Sequence, residues 1–362
     1  MALEVGIAGL PNVGKSTLLN ALSQAHAEAS NYPFCTIDQN TGMAEVPDLD
    51  LRKLEKILSP EETKPTTIRF VDIAGLVEGA SKGEGLGNKF LGHIREVDAL
   101  LHVVRCFEDE NVVHSTGDPD PVRDVEIVET EFLLADLETA QRAAERWMSA
   151  TRTGKGAGKD EHAAFIRAAE ALGEGKPIKD LCLSENEQRI LAEARFLTAK
   201  PCLYLANTDE SDPKGEGPLV SALREAKGAE FVLPVSVEIE EEISELPPED
   251  QDEFLKGMGL EETALNLVVT ACYRFLDLIT FYTIANDKLS AWQLRQGGTA
   301  DQAAGTIHSD MEKGFIRAEI MSLADLVEHG SRHALHDHGL IHTVGRDYVV
   351  QDKDVLQVLF KA

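Results

Sequence analysis

The chain has 362 residues, with 35 Lys plus Arg against 63 Asp plus Glu and a formal net charge of −28. That length allows two or three domains with an ample core, and an apolar share of 43% excludes wholesale disorder. An acid surplus of this size repels phosphate, so the chain does not coat nucleic acid or anionic membrane indiscriminately; such contact needs a local basic patch.

Met1–Leu10 has neither a basic n-region nor a long apolar run, so no signal peptide is expected. Leu3–Ala8 is a short apolar strand, and Lys15–Ser23 reads as a helix with Leu18, Leu19 and Leu22 on one side. Thr67–Val71 and Ala99–Arg105 read as strands, and the run Leu100, Leu101, Val103, Val104 predicts one buried on both faces. This alternation predicts a parallel sheet covered by helices.

After Pro119 and Pro121 helix formers dominate from Val122 to about Ala199, with a clear break at Gly154–Gly158, which predicts a helical hairpin. Strand signals resume at Cys202–Leu205 and Phe231–Val235, so the hairpin is an insertion between strands of one α/β domain. A helix over 261–278 carries Leu265, Val268, Val269, Cys272 and Phe275 at helical spacing. Strands at Leu278–Ile284, Phe315–Ile320 and Asp347–Val350 make the tail a small α+β domain. The division expected is 1–125 with 200–278, then 126–199, then 279–362. No apolar run comes near the length of about 18 residues that a membrane span needs. The five scattered cysteines form no Cys-x-x-Cys pair, which points to reduced thiols in a cytoplasmic protein.

Gly9-Leu10-Pro11-Asn12-Val13-Gly14-Lys15-Ser16 fits G-x-x-x-x-G-K-[ST] between a strand and a helix. Glycines let consecutive backbone N–H groups turn toward phosphate oxygens, and the helix N-terminus adds a positive dipole end. Asn12, Val13, Gly14, Lys15, Ser16 and Thr17 are therefore the expected phosphate cradle. Lys15 reaches the β- and γ-phosphates, and Ser16 ligates Mg²⁺. Asp72-Ile73-Ala74-Gly75 follows a strand; Asp72 is the second expected Mg²⁺ residue, and the Gly75 amide is placed at the γ-phosphate. Thr36, in the irregular stretch Asn31–Thr36, is the candidate hydroxyl that closes on Mg²⁺. The run Leu76–Phe90, with Gly79, Gly83, Gly85 and Gly87, reads as a switch that orders around γ-phosphate.

Asn207-Thr208-Asp209-Glu210 stands where GTPases carry Asn-Lys-x-Asp. Their Asp accepts from guanine N1–H and the 2-amino group. Glu210 is one methylene longer, so the displaced carboxylate loses the guanine contact and leaves adenine less disfavoured. Ser236-Val237-Glu238 occupies the place of the base-closing loop.

With these motifs, the helical insertion and the tail, the chain resembles the YchF/Obg-like ATPase family over essentially its whole length. His308–Glu319 resembles that family's TGS domain. The resemblance implies an α/β P-loop NTPase with an inserted α-helical hairpin (coiled coil) and a C-terminal α+β β-grasp domain. It also implies ATP preferred over GTP, and association with ribosomes.

Leu76 stands where Ras-like enzymes carry the water-orienting Gln. His114, in the polar loop Glu108–Pro121, is the candidate replacement, because a neutral imidazole accepts from water near pH 7; an exposed loop histidine is the plainer alternative. His93 and His102 are its rivals. Asn12 has two readings, a turn former or a holder of K⁺ beside the phosphates. Residues 141–160 carry Arg142, Arg146, Arg152, Lys155 and Lys159 against Glu145 and Asp160, so the arm and its loop are a candidate contact for rRNA backbone, with an ordinary solvated helix face as the plainer alternative. Glu238–Glu253, with nine acids and no base, reads as solvated or partner-facing. His329, His333, His336, His338 and His342 match no standard zinc spacing and read as a His-rich loop. The other functions open at this point are a true GTPase on the same fold, and a nucleotide-regulated ribosome- or RNA-binding protein with incidental hydrolysis.

Overall fold

The computed structural model describes residues 3–24, 41–73, 86–109, 118–152, 158–260 and 262–361. The strands are β1 (Glu4–Ala8), β2 (Thr41–Glu45), β3 (Glu62–Lys64), β4 (Thr67–Asp72), β5 (Ala99–Arg105), β6 (Cys202–Asn207), β7 (Val232–Val235), β8 (Leu278–Ala285), β9 (Lys288–Arg295), β10 (Phe315–Ser322), β11 (His342–Val344) and β12 (Asp354–Phe360). The helices up to the tail are α1 (Lys15–Gln24), α2 (Leu49–Leu58), α3 (Leu86–Glu96), α4 (Pro121–Arg152), α5 (Lys159–Gly173), α6 (Glu185–Ala192), α7 (Pro218–Lys227), α8 (Val237–Glu245), α9 (Pro248–Gly257) and α10 (Ala264–Phe275). The tail adds α11 (Ala300–Ile307), α12 (Ser309–Lys313), α13 (Leu323–His329) and α14 (Arg332–Asp337). Two compact units emerge, 3–42 with 69–265, and 43–68 with 266–361.

The first sheet has the order β2-β4-β1-β5-β6-β7. From β4 to β7 every pairing is parallel, with Val5 opposite Phe70, Gly6 opposite Leu100, Leu101 opposite Leu203 and Leu205 opposite Leu233. All seven residues of β5 are buried, as the unbroken apolar run requires of a strand covered on both faces. Strand order reverses on either side of β1, which puts the carboxyl end of β1 at the switch point where such sheets bind ligands.

The insertion is two long helices and a return. Ala140 and Ala144 of α4 meet Ala164, Phe165 and Ala168 of α5, and the small side chains let the backbones approach closely. Helix α6 starts on a capping box, in which Ser184 and Glu187 satisfy each other's backbone N–H groups.

The second sheet has the order β11-β10-β12-β8-β9-β3. Strand β8 runs parallel to β12 and antiparallel to β9, and β10 is antiparallel to β12, the β-grasp arrangement. One face packs on Ala300, Ala303 and Ala304 of α11. The other packs on Leu326 of α13, Leu335 of α14, and Leu51 and Leu54 of α2. Residues 43–68 thus contribute a helix and the edge strand β3 to this unit, which no local signal in the sequence announced.

Two local expectations change, and one strand is added. Asp347–Val350 is not a strand: Val349 makes a single bridge to Thr299, and the last strand is Asp354–Phe360. The apolar pattern of 354–360 is the longer of the two and supplies the central partner of β8. The helix expected over 261–278 spans Ala264–Phe275, ended by Asp277 in the left-handed region (φ 52°). Strand β9 joins β8 through Asn286 and Asp287, both left-handed (φ 52° and 56°), a two-residue hairpin turn that Asn and Asp tolerate well.

Candidate functional site

The loop between β1 and α1 is shaped by two glycines. Gly9 has φ +148°, and a side-chain carbon there would stand 2.4 Å from the Val103 carbonyl oxygen of β5. Gly14 has φ +97°, and a side-chain carbon there would stand 2.5 Å from Asn207 Nδ2. Any larger residue strains the backbone and strikes a neighbour at both positions. Asn12 is left-handed as well, with φ 60°, a conformation that Asn adopts readily. Leu10 and Val13 are buried and anchor the loop.

Lys15 opens α1 and is 7% exposed. Its Nζ donates to the carbonyls of Gly9 at 3.1 Å and Leu10 at 2.7 Å, inside the loop it belongs to. Burial pushes its pKa down, while the Asp72 carboxylate pulls it back up. Asp72, at the end of β4, is pushed the other way by its own burial; Lys15 and a hydrogen bond from the Ser16 hydroxyl oppose that shift. Among the described residues, Asp72 Oδ1 is buried with no hydrogen-bond partner. The fold therefore gathers Lys15, Ser16 and Asp72, and leaves a buried carboxylate oxygen unsatisfied among them.

The second part of the site begins at Asn207, at the carboxyl end of β6. Its amide Nδ2 donates to the Val13 carbonyl at 3.0 Å, and its Oδ1 accepts from the Val237 N–H at 3.2 Å. One side chain thus ties the phosphate loop to the start of α8. Ser236 and Val237 are the N-cap and first residue of that helix rather than an open loop. Among the described residues, the hydroxyls of Thr208 and Ser236 are buried without partners. A cavity of about 670 Å³ lies here, walled by Asn12, Gly14 and Thr17 on one side and by Asn207, Thr208, Asp209 and Val237 on the other. Glu210 is exposed and is not among its walls.

Phe107 also lines this cavity, and the sequence did not single it out. Arg105, 2% exposed at the end of β5, sits beneath it, 4.6 Å from the ring centroid. Its guanidinium donates to the carbonyls of Phe107 and Asp109, both at 3.1 Å, so one buried cation shapes that wall. An arginine closing an otherwise apolar strand was the available signal.

Other expectations fall elsewhere. Thr36, Gly75, Leu76, His114 and the arm loop 153–157 lie outside the described residues. His102 is fully buried within β5, and burial lowers its pKa to about 4, so it is a neutral core residue. Glu240, within the acidic run expected to be solvated, is 2% exposed instead: its carboxylate accepts from the N–H groups of Ala264 at 2.7 Å and Leu265 at 3.2 Å, closing the start of α10. The tail histidines sit mostly on α13 and α14 rather than in a loop, with the rings of His329 and His338 4.6 Å apart, edge to face.

Residues 4–136 match a family model described as a 50S ribosome-binding GTPase, and residues 278–361 match the YchF GTPase C-terminal model, described as a protein of unknown function. The Ribosome-binding ATPase YchF of Escherichia coli O157:H7 is 45% identical, the match covering 99% of both chains. Its namesake in Bacillus subtilis (strain 168) is 44% identical, over 99% of this chain and all of the relative. The solved structure of the Schizosaccharomyces pombe YchF GTPase superposes with a TM-score of 0.88 at 34% identity, covering 99% of this chain and 97% of that one. Full-length identity of this order, a shared fold and an intact phosphate loop lead to one conclusion: the chain belongs to the YchF family of P-loop nucleoside triphosphatases.

Proposed function

We propose that this protein is a Mg²⁺-dependent nucleoside triphosphatase that hydrolyses ATP in preference to GTP and acts as a ribosome-associated, cytoplasmic switch in translation or stress. The observation that carries the reading is the buried, unpartnered Asp72 oxygen beside Ser16 and Lys15. Two hard oxygen donors with an open coordination position suit Mg²⁺. Ser16 and Asp72 would hold the ion, with Thr36 as the third candidate, and the ion would supply neutralisation of charge on the phosphate oxygens.

The chain's own residues do the rest. The backbone N–H groups from Asn12 to Thr17, together with the Gly75 amide, orient the phosphates. Lys15, already buried, exchanges its two loop carbonyls for phosphate oxygens, where its charge is worth more than against neutral acceptors. His114 orients the attacking water. The left-handed turn at Asn12 supports a turn-forming role more than K⁺ binding.

Asn207 holds the base end through the phosphate loop and Val237, and Ser236 with Val237 close over the base. Glu210, which stands at the position of the guanine-reading Asp, is not among the walls of the cavity, which supports ATP over GTP. The bacterial relatives bear ATPase and ribosome binding in their names, and the fission-yeast relative bears GTPase. The helical arm, 126–199, is the proposed rRNA contact; the P-loop domain around it is the motor, and the tail with residues 43–68 is the TGS module. No helix among the described residues is long and apolar enough to cross a membrane.

Titrating ATP and GTP against the purified protein, with hydrolysis followed for each, tests the proposal. ATP should bind more tightly and turn over. GTP binding at least about tenfold tighter makes the protein a GTPase. Co-sedimentation with ribosomes that is indifferent to ATP or ADP removes the switch.

A further inference from the structure

Arg95 lies in the last turn of α3 and reaches the root of the helical arm. Its guanidinium donates to Thr139 Oγ1 of α4 at 3.0 Å and pairs with Asp136 of the same helix at 3.2 Å. It also donates to the Ala135 carbonyl at 3.4 Å, and to the carbonyls of Ala194 and Arg195, at 3.3 Å and 3.1 Å, where the insertion returns toward the sheet. The Arg95 side chain is 21% exposed, and Asp136 is fully buried. A buried ion pair adds little stability over an apolar pair; its best-attested use is to fix one arrangement of two elements.

Two features make this contact releasable. Asp136 also accepts from the N–H groups of Leu197 and Thr198, at 3.1 Å and 2.8 Å, and from the Thr198 hydroxyl at 2.9 Å, so its carboxylate stays partnered when Arg95 leaves. Beside Arg95 the two helices stand apart: a groove of about 310 Å³ separates Leu91 and Gly92 of α3 from Glu138 and Arg142 of α4. Among the described residues, a side-chain carbon on Gly92 would meet no neighbouring atom within 4 Å. Helix α3 therefore has room to shift against α4. The root of α4 is held elsewhere: the Glu129 carboxylate accepts from the Tyr204 hydroxyl of β6 and the Lys227 ammonium of α7, both at 2.7 Å. Asp136 lies about 10 Å of helix beyond that anchor, and Arg152, the end of α4, about 35 Å beyond it. With Glu129 as pivot, a displacement of about 1 Å at Asp136 becomes about 3 Å at the end of α4. The first turns of α3, from Leu86, are the end of the glycine-containing run that reads as a γ-phosphate switch.

We infer that Arg95 is the latch through which α3 passes the nucleotide state to the arm: its hydrogen bonds hold the arm in one position, and a shift of α3 releases them. The inference rests on the ATP-switch reading above. The test places spin labels, carried by an unnatural ketone side chain, at the exposed positions Asp160 of α5 and Ser221 of α7 in the full chain. Their separation is measured by double electron–electron resonance with Mg²⁺ and either a non-hydrolysable ATP analogue or ADP, and ATP binding and hydrolysis are measured on the same samples. The wild-type separation should change by about 3 Å or more between the two nucleotides. R95M should hold it constant while ATP affinity and hydrolysis stay within about twofold of wild type; R95K, which restores the charge, should recover part of the change. Gly92→Leu fills the groove and leaves Arg95 in place; it should shrink the change without lowering the melting temperature, since leucine is the better helix former. A wild-type protein that hydrolyses ATP at one fixed separation overturns the latch and leaves the ATPase reading standing, whereas absence of ATP binding overturns both. A change retained in R95M, or undiminished in G92L, overturns the latch. So does an R95M variant that loses the change only together with ATP binding, which would make Arg95 a plain structural residue.

Discussion

Replacing Asn207 by alanine tests the tie between the two ends of the nucleotide site. The Asn207 amide bridges the Val13 carbonyl and the Val237 N–H, at 3.0 Å and 3.2 Å, from a side chain only 6% exposed. Truncation leaves one buried acceptor and one buried donor unpaired. Each such group costs about 1–3 kcal/mol, and the adjoining cavity lets water recover part of that, so about 2–4 kcal/mol should be lost. For a unit of roughly 240 residues this lowers the melting temperature of the nucleotide-free protein by about 4–16 °C. Val13 lies inside the phosphate loop, so a loosened loop should also weaken ATP binding by about tenfold or more. Asn207→Asp is the sharper variant: it keeps the acceptor for Val237 but sets a carboxylate against the Val13 carbonyl, and it should bind ATP no better than the alanine form. Thermal unfolding followed by circular dichroism and calorimetric titration with ATP provide the readouts. A melting temperature within about 1 °C of wild type, with unchanged affinity, would refute the reasoning.

Asp72→Asn should act in opposite directions on stability and activity. The Asp72 pKa is raised by burial, so the folded state holds a proton that the unfolded chain releases above its ordinary 3.8; stability falls as pH rises through that window, and the deficit persists at neutral pH. The neutral amide should raise the melting temperature without nucleotide, yet cut Mg²⁺-dependent hydrolysis by about a hundredfold or more; a lower melting temperature would contradict the burial argument. His102 has its pKa lowered to about 4 from 6.5, so stability is complete above 6.5 and is lost as pH falls below it, by up to about 3 kcal/mol. His102→Phe should flatten that acid limb in melts between pH 4 and 7, and an unchanged slope would exclude His102 as its source. Glu240→Ala strips the N–H groups of Ala264 and Leu265 of their acceptor and should cost about 2–4 kcal/mol in urea unfolding; a solvated glutamate would cost almost nothing.

What was legible in the sequence was local. The phosphate loop, its strand and its helix are encoded within Glu4–Gln24, because glycine conformations, an apolar run and helix periodicity are properties of neighbouring residues. The arm was legible for the same reason, as a long stretch of helix formers broken once. The acidic run misled because composition reports an average: Glu240 faces the first N–H groups of α10, 24 residues further along, and no spacing rule links the two. The hairpin turn Asn286-Asp287 carried a signal that went unread.

Only the tertiary structure decided the rest. It placed Asn207 against Val13 across 194 residues, set Arg105 under Phe107, and took residues 43–68 into the β-grasp unit, where Leu51 and Leu54 cover a sheet face that would otherwise stand open. These facts depend on burial shared between distant segments: a buried amide, guanidinium or carboxylate persists only where the fold brings it a partner. The sequence alone determined a strand-loop-helix whose glycines and lysine suit a triphosphate; the fold determined which side chains wall the cavity beside that loop.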